Sequence, residues 1–366
     1  MMGFPGKLAL QQRVLPNYRV PFFDLLASAC DGGMSLFAGL PRPSEGITTA
    51  EVLQLAKYKA GQNVYFFSGP FTLYHQRGLV EWLEDWNPSA LIMEANSRCL
   101  STSSAVRWMH GRGRPVIGWG LGSPPLSALL AGFRQSQRLS FLRQFDGLIA
   151  YSQRGADEYG QLGFPKEKIF VAYNAISPPP PFPLPSRPKT FNRSPHILFV
   201  GRLQARKRVD HLVRACALLE SRPRLVIIGD GPERQALESL AEQVYPNAEF
   251  IGARHGAELK PYFTEADLFV LPGTGGLAIQ EAMSYGLPVV VAQGDGTQDD
   301  LVRKENGWQI PPDDLDALAS TMKDALSDVV RLRKMGEESY RIVKEEINIQ
   351  KMVENFVKAL RLTIRK

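Results

Sequence analysis

The sequence predicts an α/β protein built from two Rossmann-like domains that face each other across a cleft. Three observations carry this expectation. Short β-rich runs alternate with amphipathic helical stretches along most of the chain, the pattern of parallel sheets flanked by helices. The alternation breaks once, from Ser177 to Lys189, where seven prolines in thirteen residues fix φ and remove backbone donors. A length of 366 residues, 44% of them apolar, is enough for two hydrophobic cores. The expected division is therefore a first domain over residues 1–176, a hinge at 177–189 and a second domain over 190–345. Residues 346–366 hold a last amphipathic stretch, Gln350–Arg365, expected to return toward the first domain.

Before the hinge, strands are expected at Lys7–Val14, Val64–Phe67, Leu91–Glu94, Val116–Trp119, Leu148–Tyr151 and Ile169–Ala172, with helices between them. After it, strands are expected at His196–Val200, Leu225–Ile228, Glu249–Ile251, Leu268–Leu271, Val289–Val291 and Trp308–Ile310. The intervening helical stretches are Val209–Glu220, Glu233–Val244, Glu258–Glu265, Leu277–Tyr285 and Leu315–Leu326. In open sheets of this kind ligands bind beyond the carboxyl ends of the strands.

Composition narrows the function. Cys30, Cys99 and Cys216 lie far apart with no CxxC pair, which fits a reducing cytoplasm and argues against a disulfide scaffold or zinc site. No apolar run approaches the ~18 residues of a spanning helix. Met1 to Lys7 shows no secretory signal, so a cytoplasmic location is expected. The net charge of +6 is uneven: residues 1–180 hold 17 Lys+Arg against 12 Asp+Glu. Between Ala95 and Phe145 stand Arg98, Arg107, Arg112, Arg114, Arg134, Arg138 and Arg143, with no lysine and no acid. Such a field attracts phosphate groups, on a lipid-linked acceptor or on an anionic membrane surface. Nucleic acid is the weaker partner, because no helix-turn-helix, zinc-finger or RNA-recognition signature accompanies the charge. The run Gly118–Gly122 has the wrong spacing for a dinucleotide fingerprint and reads as a strand-to-loop turn.

The chemistry concentrates after the hinge, at strand ends. Phe199-Val200-Gly201-Arg202-Leu203 is followed by Arg206-Lys207-Arg208. Arg202 can grip two oxygens with its planar fork, and Lys207 is a mobile point charge; together they suit a diphosphate. Ile228-Gly229-Asp230-Gly231-Pro232 ends a second strand and, alone, reads as a turn. The strongest segment runs from Leu271 through Gly273, Gly275 and Gly276 into a helix carrying Glu281 in its second turn. Consecutive glycines let backbone amides converge on an anion, and the carboxylate beside them suits ribose hydroxyls.

In this order the three segments resemble the donor domain of glycosyltransferases of the family 4 type, which have the two-domain GT-B fold. The resemblance covers residues 190–345 and includes Ala266–Pro272 and Glu281–Val290. Before the hinge it rests on Leu15–Phe23 and on Lys166–Asn174. It implies a nucleotide-sugar donor, transfer with retained anomeric configuration and a glycan or lipid-linked acceptor, with no cofactor and no metal site. It also implies that Arg202, Lys207 and Glu281 are the catalytic groups. Donor contacts would come from Gly201, Arg202, Lys207, Gly252, Ala253, Arg254, Gly275, Gly276, Leu277, Ala278 and Glu281. Asn17, Tyr18, Arg19, Gly120 and Leu121 would face the acceptor.

The chain departs from the family at three places. Members carry two glutamates separated by seven residues; Glu281 is the second, and the first position is Gly273 here. A histidine common near the donor sugar is Leu121, and the Asn-Gly near the hinge is Asn174-Ala175. Two other readings stand beside the transferase: a GT-B epimerase or hydrolase of the nucleotide sugar, and a nucleotide-sugar-binding homologue without activity. An inverting enzyme would need a general base, for which Glu94 and Asp24 are candidates. His110 and His255 are expected near the cleft, whereas His75, His196 and His211 read as ordinary surface or helix residues.

Overall fold

The structure, a computed structural model, describes residues 3–67, 69–124, 131–294 and 296–364. They form two compact units, one running to Ile176 and resuming at Ile349, the other Ser177–Asn348.

In the first unit the order is β1 (Leu8–Val14), α1 (Val20–Ser28), β2 (Met34–Gly39), β3 (Lys57–Ala60), β4 (Gln62–Phe66), β5 (Leu73–Arg77), α2 (Leu79–Trp86), β6 (Ala90–Glu94), α3 (Thr102–His110), β7 (Val116–Gly120), α4 (Ala131–Leu142), β8 (Gly147–Ala150), α5 (Gln153–Gln161) and β9 (Ile169–Val171). Seven strands pair in parallel in the order β3-β2-β1-β6-β7-β8-β9. The central strands β1, β6 and β8 are buried almost throughout, as sheets covered on both faces require. Val64–Phe67, expected in this sheet, instead lies in β4, which pairs antiparallel with β5 as a separate hairpin. The expectation also passed over β2 and β3. Edge strand β3 reads Lys-Tyr-Lys-Ala, and edge lysines, which discourage edge-to-edge pairing, also hide the strand from a hydrophobic scan.

The second unit contains β10 (His196–Val200), α6 (Val209–Ala217), β11 (Arg224–Ile228), α7 (Arg234–Val244), β12 (Ala248–Gly252), α8 (Lys260–Glu265), β13 (Leu268–Leu271), α9 (Ala278–Ser284), β14 (Val289–Ala292), α10 (Thr297–Leu301), β15 (Gly307–Ile310), α11 (Leu315–Ser327) and α12 (Val329–Glu345). Its sheet is parallel, in the order β12-β11-β10-β13-β14-β15. All six strands expected here are present. The sequence reading left α12 unassigned, although Leu332, Met335, Ser339, Tyr340, Ile342 and Val343 form its buried face. Gly336 interrupts that face because a Cβ there would meet the Gly286 carbonyl at 2.2 Å.

The final helix, α13 (Ile349–Ile364), packs in the first unit, where Phe356 meets Phe22 and Trp119 edge-on with ring centroids 5.0 Å apart. The proline-rich segment is more than a spacer. It belongs to the second unit, and Arg187 fastens it there by donating to Ala266 O (3.0 Å), Tyr285 O (2.7 Å) and Phe263 O (2.8 Å). These carbonyls close α8 and α9, where a cation meets the negative ends of two helices. Tyr340 donates to Phe182 O nearby, and the Phe182 ring lies 4.8 Å from that of Tyr285.

Candidate functional site

Numbered within the second unit, the strand order is 3-2-1-4-5-6, so the direction of winding reverses between β10 and β13. Loops leaving the carboxyl ends at such a switch point diverge and open a crevice. The segments that leave here are Gly201–Lys207 and Gly273–Glu281. Glycines stand at or just after four adjacent strand ends: Gly252, Gly229, Gly201 and Gly273. The packing explains them. A Cβ on Gly229 would lie 1.9 Å from Gly201 O, and one on Gly231 2.2 Å from Leu203 O. Main chain therefore meets main chain, fixed by Gly201 N to Ile228 O (2.9 Å) and Leu203 N to Asp230 O (2.9 Å).

The closest docking is between the 3-10 turn Ala205–Lys207 and the glycine loop. A Cβ on Gly273 would lie 2.2 Å from Arg206 O and 2.4 Å from Lys207 Cα, so no other residue fits there without moving backbone. Thr274 N donates to Arg206 O (3.0 Å). Lys207 Nζ donates to Thr274 O (2.8 Å) and Gly275 O (2.7 Å). Lys207 is thus no mobile point charge: it is 7% exposed, and burial, with Arg206 adjacent, pulls its pKa down to about 8. The glycine that replaces the family's first glutamate is what allows this contact.

The four positive charges of this loop play different parts. Arg208, at φ +52°, is neutralised by Asp210 and Asp313, which answers why a cation can precede a helix. Arg206 donates to Gln204 (3.1 Å). Lys207 holds the loop. Only Arg202 is exposed with a guanidinium that has no partner among the described residues. Glu281 lies in the first turn of α9, one turn earlier than expected, half-buried and without a cationic partner among the described residues. Burial alone holds its pKa above the ordinary carboxylate value. Gly275 takes φ +67°, Gly276 is half-buried, Leu277 caps α9 and is exposed, and Ala278 opens the helix. Gly252 ends β12 at φ +80°, and the exposed Ala253 and half-buried Arg254 continue from it, two strands from the switch point.

The first sheet has the same reversal between β1 and β6. There Asn17 and Tyr18 are exposed, but Arg19 turns inward at 6% exposure. Its guanidinium stacks 5.1 Å from the Trp119 ring and 5.4 Å from Tyr151. Arg19 Nη1 and Trp119 Nε1 are buried with no acceptor among the described residues. Beside them a cavity of about 350 Å³ is lined by Glu94, Asn96, Trp119, Gly120, Leu121 and Arg138, among others. Glu94 is a backbone anchor, accepting from Arg13 N (2.8 Å) and Tyr74 Oη (3.2 Å), and burial raises its pKa. Asp24 anchors a loop through Gln54, Leu55 and Ala56 amides. No motif or spacing marks Tyr151 or the orphaned Trp119 indole as part of a site.

The histidines lie elsewhere. His110 bonds Asp146 (2.9 Å), whose carboxylate also accepts from Val116 N at the start of β7. That is the amino-terminal edge of the sheet, the end opposite the cavity. His255 precedes the 3-10 turn Gly256–Leu259 and is exposed. The arginine field is likewise divided: Arg112 and Arg114 precede β7 at the amino-terminal edge, whereas Arg138 lines the carboxyl-edge cavity. Among the described residues no helix is long and apolar enough to cross a membrane.

Comparison with known proteins agrees with this geometry. Residues 194–328, within the second unit, match the family described as Glycosyl transferases group 1. An uncharacterized glycosyltransferase of Methanocaldococcus jannaschii is 33% identical over 214 residues, 51% of this chain and 55% of its own. A GDP-mannose-dependent alpha-mannosyltransferase of Mycobacterium tuberculosis is 35% identical over 143 residues, 38% of this chain and 35% of its own. The chain thus spans about half or less of these relatives' lengths. Among solved structures, the apo lipopolysaccharide outer core galactosyltransferase WaaB superposes with a TM-score of 0.69 at 17% identity, over 97% of this chain and 99% of its own. HepE of Anabaena, solved with UDP, gives 0.67 at 16% identity, over 97% and 99%. The fold is GT-B: two Rossmann-like domains.

Proposed function

We propose that this chain is a glycosyltransferase that moves a sugar from a nucleotide-sugar donor to a glycan or lipid-linked acceptor with retention of configuration. The single observation that carries the reading is the switch point of the second sheet. There Arg202, which has no partner among the described residues, a glycine loop and a half-buried Glu281 share one strand-end edge. Arg202 takes the leaving diphosphate, Gly275 and Gly276 present their amides to it, and Glu281 accepts from the ribose hydroxyls. As the sugar–oxygen bond breaks, negative charge grows on the diphosphate, and a cation already in place stabilises it without reorganisation. The departing oxygen takes the acceptor's proton on the face where attack occurs, so no protein nucleophile is required.

On the acceptor side, Asn17, Tyr18 and the Gly120–Leu121 edge of the cavity serve the incoming glycan. The exposed Phe133 and Arg134 of α4 serve peripheral association with an anionic membrane, in a cytoplasmic protein. Three measurements test the reading. Thermal stability with UDP, GDP, ADP and their sugars should rise for one nucleotide class, by about 2.7 kcal/mol at 100 times its dissociation constant. Product from that donor with a panel of glycan and polyprenyl-phosphate acceptors should keep the donor's anomeric configuration. Donor consumed equally fast without acceptor would replace the transferase with a hydrolase or epimerase. Vesicles containing anionic lipid should retain the protein at low salt and release it at high salt.

A further inference from the structure

The Ala205–Lys207 turn and the glycine loop are joined by three hydrogen bonds, two of them from Lys207 Nζ to the carbonyls of Thr274 and Gly275. A trans peptide is planar, with its C=O and N–H directed oppositely. The Thr274 carbonyl shares a peptide with the Gly275 amide, and the Gly275 carbonyl shares one with the Gly276 amide. With both carbonyls turned onto the ammonium, both amides are turned away from it. Neither amide has an acceptor among the described residues. Hydrogen bonding at a carbonyl also polarises its peptide, making the N–H a stronger donor.

We infer that Lys207 is a positioning residue: it holds the glycine loop from behind, so that the Gly275 and Gly276 amides face a phosphate group that Lys207 itself does not touch. The inference rests on the reading of the second unit as a nucleotide-sugar site. It differs from direct diphosphate binding by Lys207, the role the resemblance implies. Three features fit it. Lys207 is 7% exposed, so its ammonium is largely withdrawn from the surface that would receive a ligand. Gly273 is the residue that lets the loop descend, since a Cβ would strike Arg206 O and Lys207 Cα. A glutamate at 273 would lift the loop and release the ammonium. Arg202 remains as the exposed cation of the pair.

Hydrogen exchange on the full chain without nucleotide tests the first half of this inference. Lys207→Met should speed exchange of the Thr274 amide, which donates to Arg206 O, by about tenfold or more, whereas Arg202→Ala should leave it unchanged. Unchanged loop exchange in Lys207→Met would overturn the inference. Amine labelling of the wild-type chain needs no variant to fold. Lys207 should label slowly in the free protein, at a rate that saturating UDP, GDP or ADP does not change. Rapid labelling suppressed by a nucleotide would show direct contact and overturn it. Lys207→Met should also weaken binding of the responding nucleoside diphosphate by about tenfold while leaving the parent nucleoside unaffected. Equal weakening of both would overturn a phosphate-specific role. If no nucleotide binds the wild-type chain, the nucleotide reading fails and the phosphate role with it. The exchange comparison still decides whether Lys207 holds the loop.

Discussion

Gly273→Ala perturbs the candidate site by one methyl group. The added Cβ would sit 2.2 Å from Arg206 O, where ordinary contact begins near 3.4 Å, so the loop or the turn must shift by about 1 Å. Both colliding partners are backbone, and neither can step aside by changing rotamer. The shift strains the bond from Thr274 N to Arg206 O and the two from Lys207 Nζ. Overpacking of this kind costs about 1–3 kcal/mol. A weakened bond to a buried ammonium adds about 1.5–3 kcal/mol, for a total of about 2.5–6 kcal/mol. Chemical denaturation measures the loss, and titration with the responding nucleotide measures a fall in affinity of about tenfold or more. A Gly273→Ala protein within about 0.5 kcal/mol of wild type, with unchanged nucleotide affinity, would refute the reasoning about how the two segments are docked.

Other predictions follow from the same geometry. Arg202→Ala should lower turnover by about 10²–10³ while shifting stability by less than about 0.5 kcal/mol, because the side chain is exposed and has no partner among the described residues; steady-state kinetics beside denaturation would separate the two. Glu281→Gln should be at least as stable as wild type at neutral pH, since burial raises the Glu281 pKa and its ionised form therefore costs stability as pH rises; the same variant should bind nucleotide more weakly. The Lys207 pKa is depressed to about 8 in the folded chain, so between there and the unfolded value of 10.5 the unfolded chain holds more protons. Stability should then rise with pH across that window, by at most about 3 kcal/mol, and denaturation at pH 7.5 and 9.5 should show this rise absent from Lys207→Met. Arg187→Met should cost about 3 kcal/mol through three undonated carbonyls at the ends of α8 and α9.

The second unit was legible because its central strands β10, β11, β13 and β14 are largely buried and read as short apolar runs. Its glycines were legible as turns, but not their purpose. Gly229, Gly231 and Gly273 exist because neighbouring loops press backbone on backbone, a tertiary fact with no local signature. Lys207 shows the same limit. Sequence placed a cation after a strand, yet only the fold shows that it faces carbonyls of residues 274 and 275 rather than open solvent. In the first unit, polar and edge elements escaped the hydrophobic pattern. Gln11 and Gln12 lie buried in β1, and Gln76 of β5 bonds Gln11 and Asn63, so the hairpin is tied down by a polar network. His110 was misplaced because chain order near Arg112 and Arg114 does not reveal which edge of the sheet a loop occupies.

The most direct measurement is a crystal structure of the chain with the nucleoside diphosphate that raises its thermal stability. The diphosphate should lie at the switch point between β10 and β13, with Arg202 on its oxygens, the Gly275 and Gly276 amides directed at it, and Glu281 on the ribose. A nucleotide seated elsewhere, with Arg202 and Glu281 left in solvent, would contradict it.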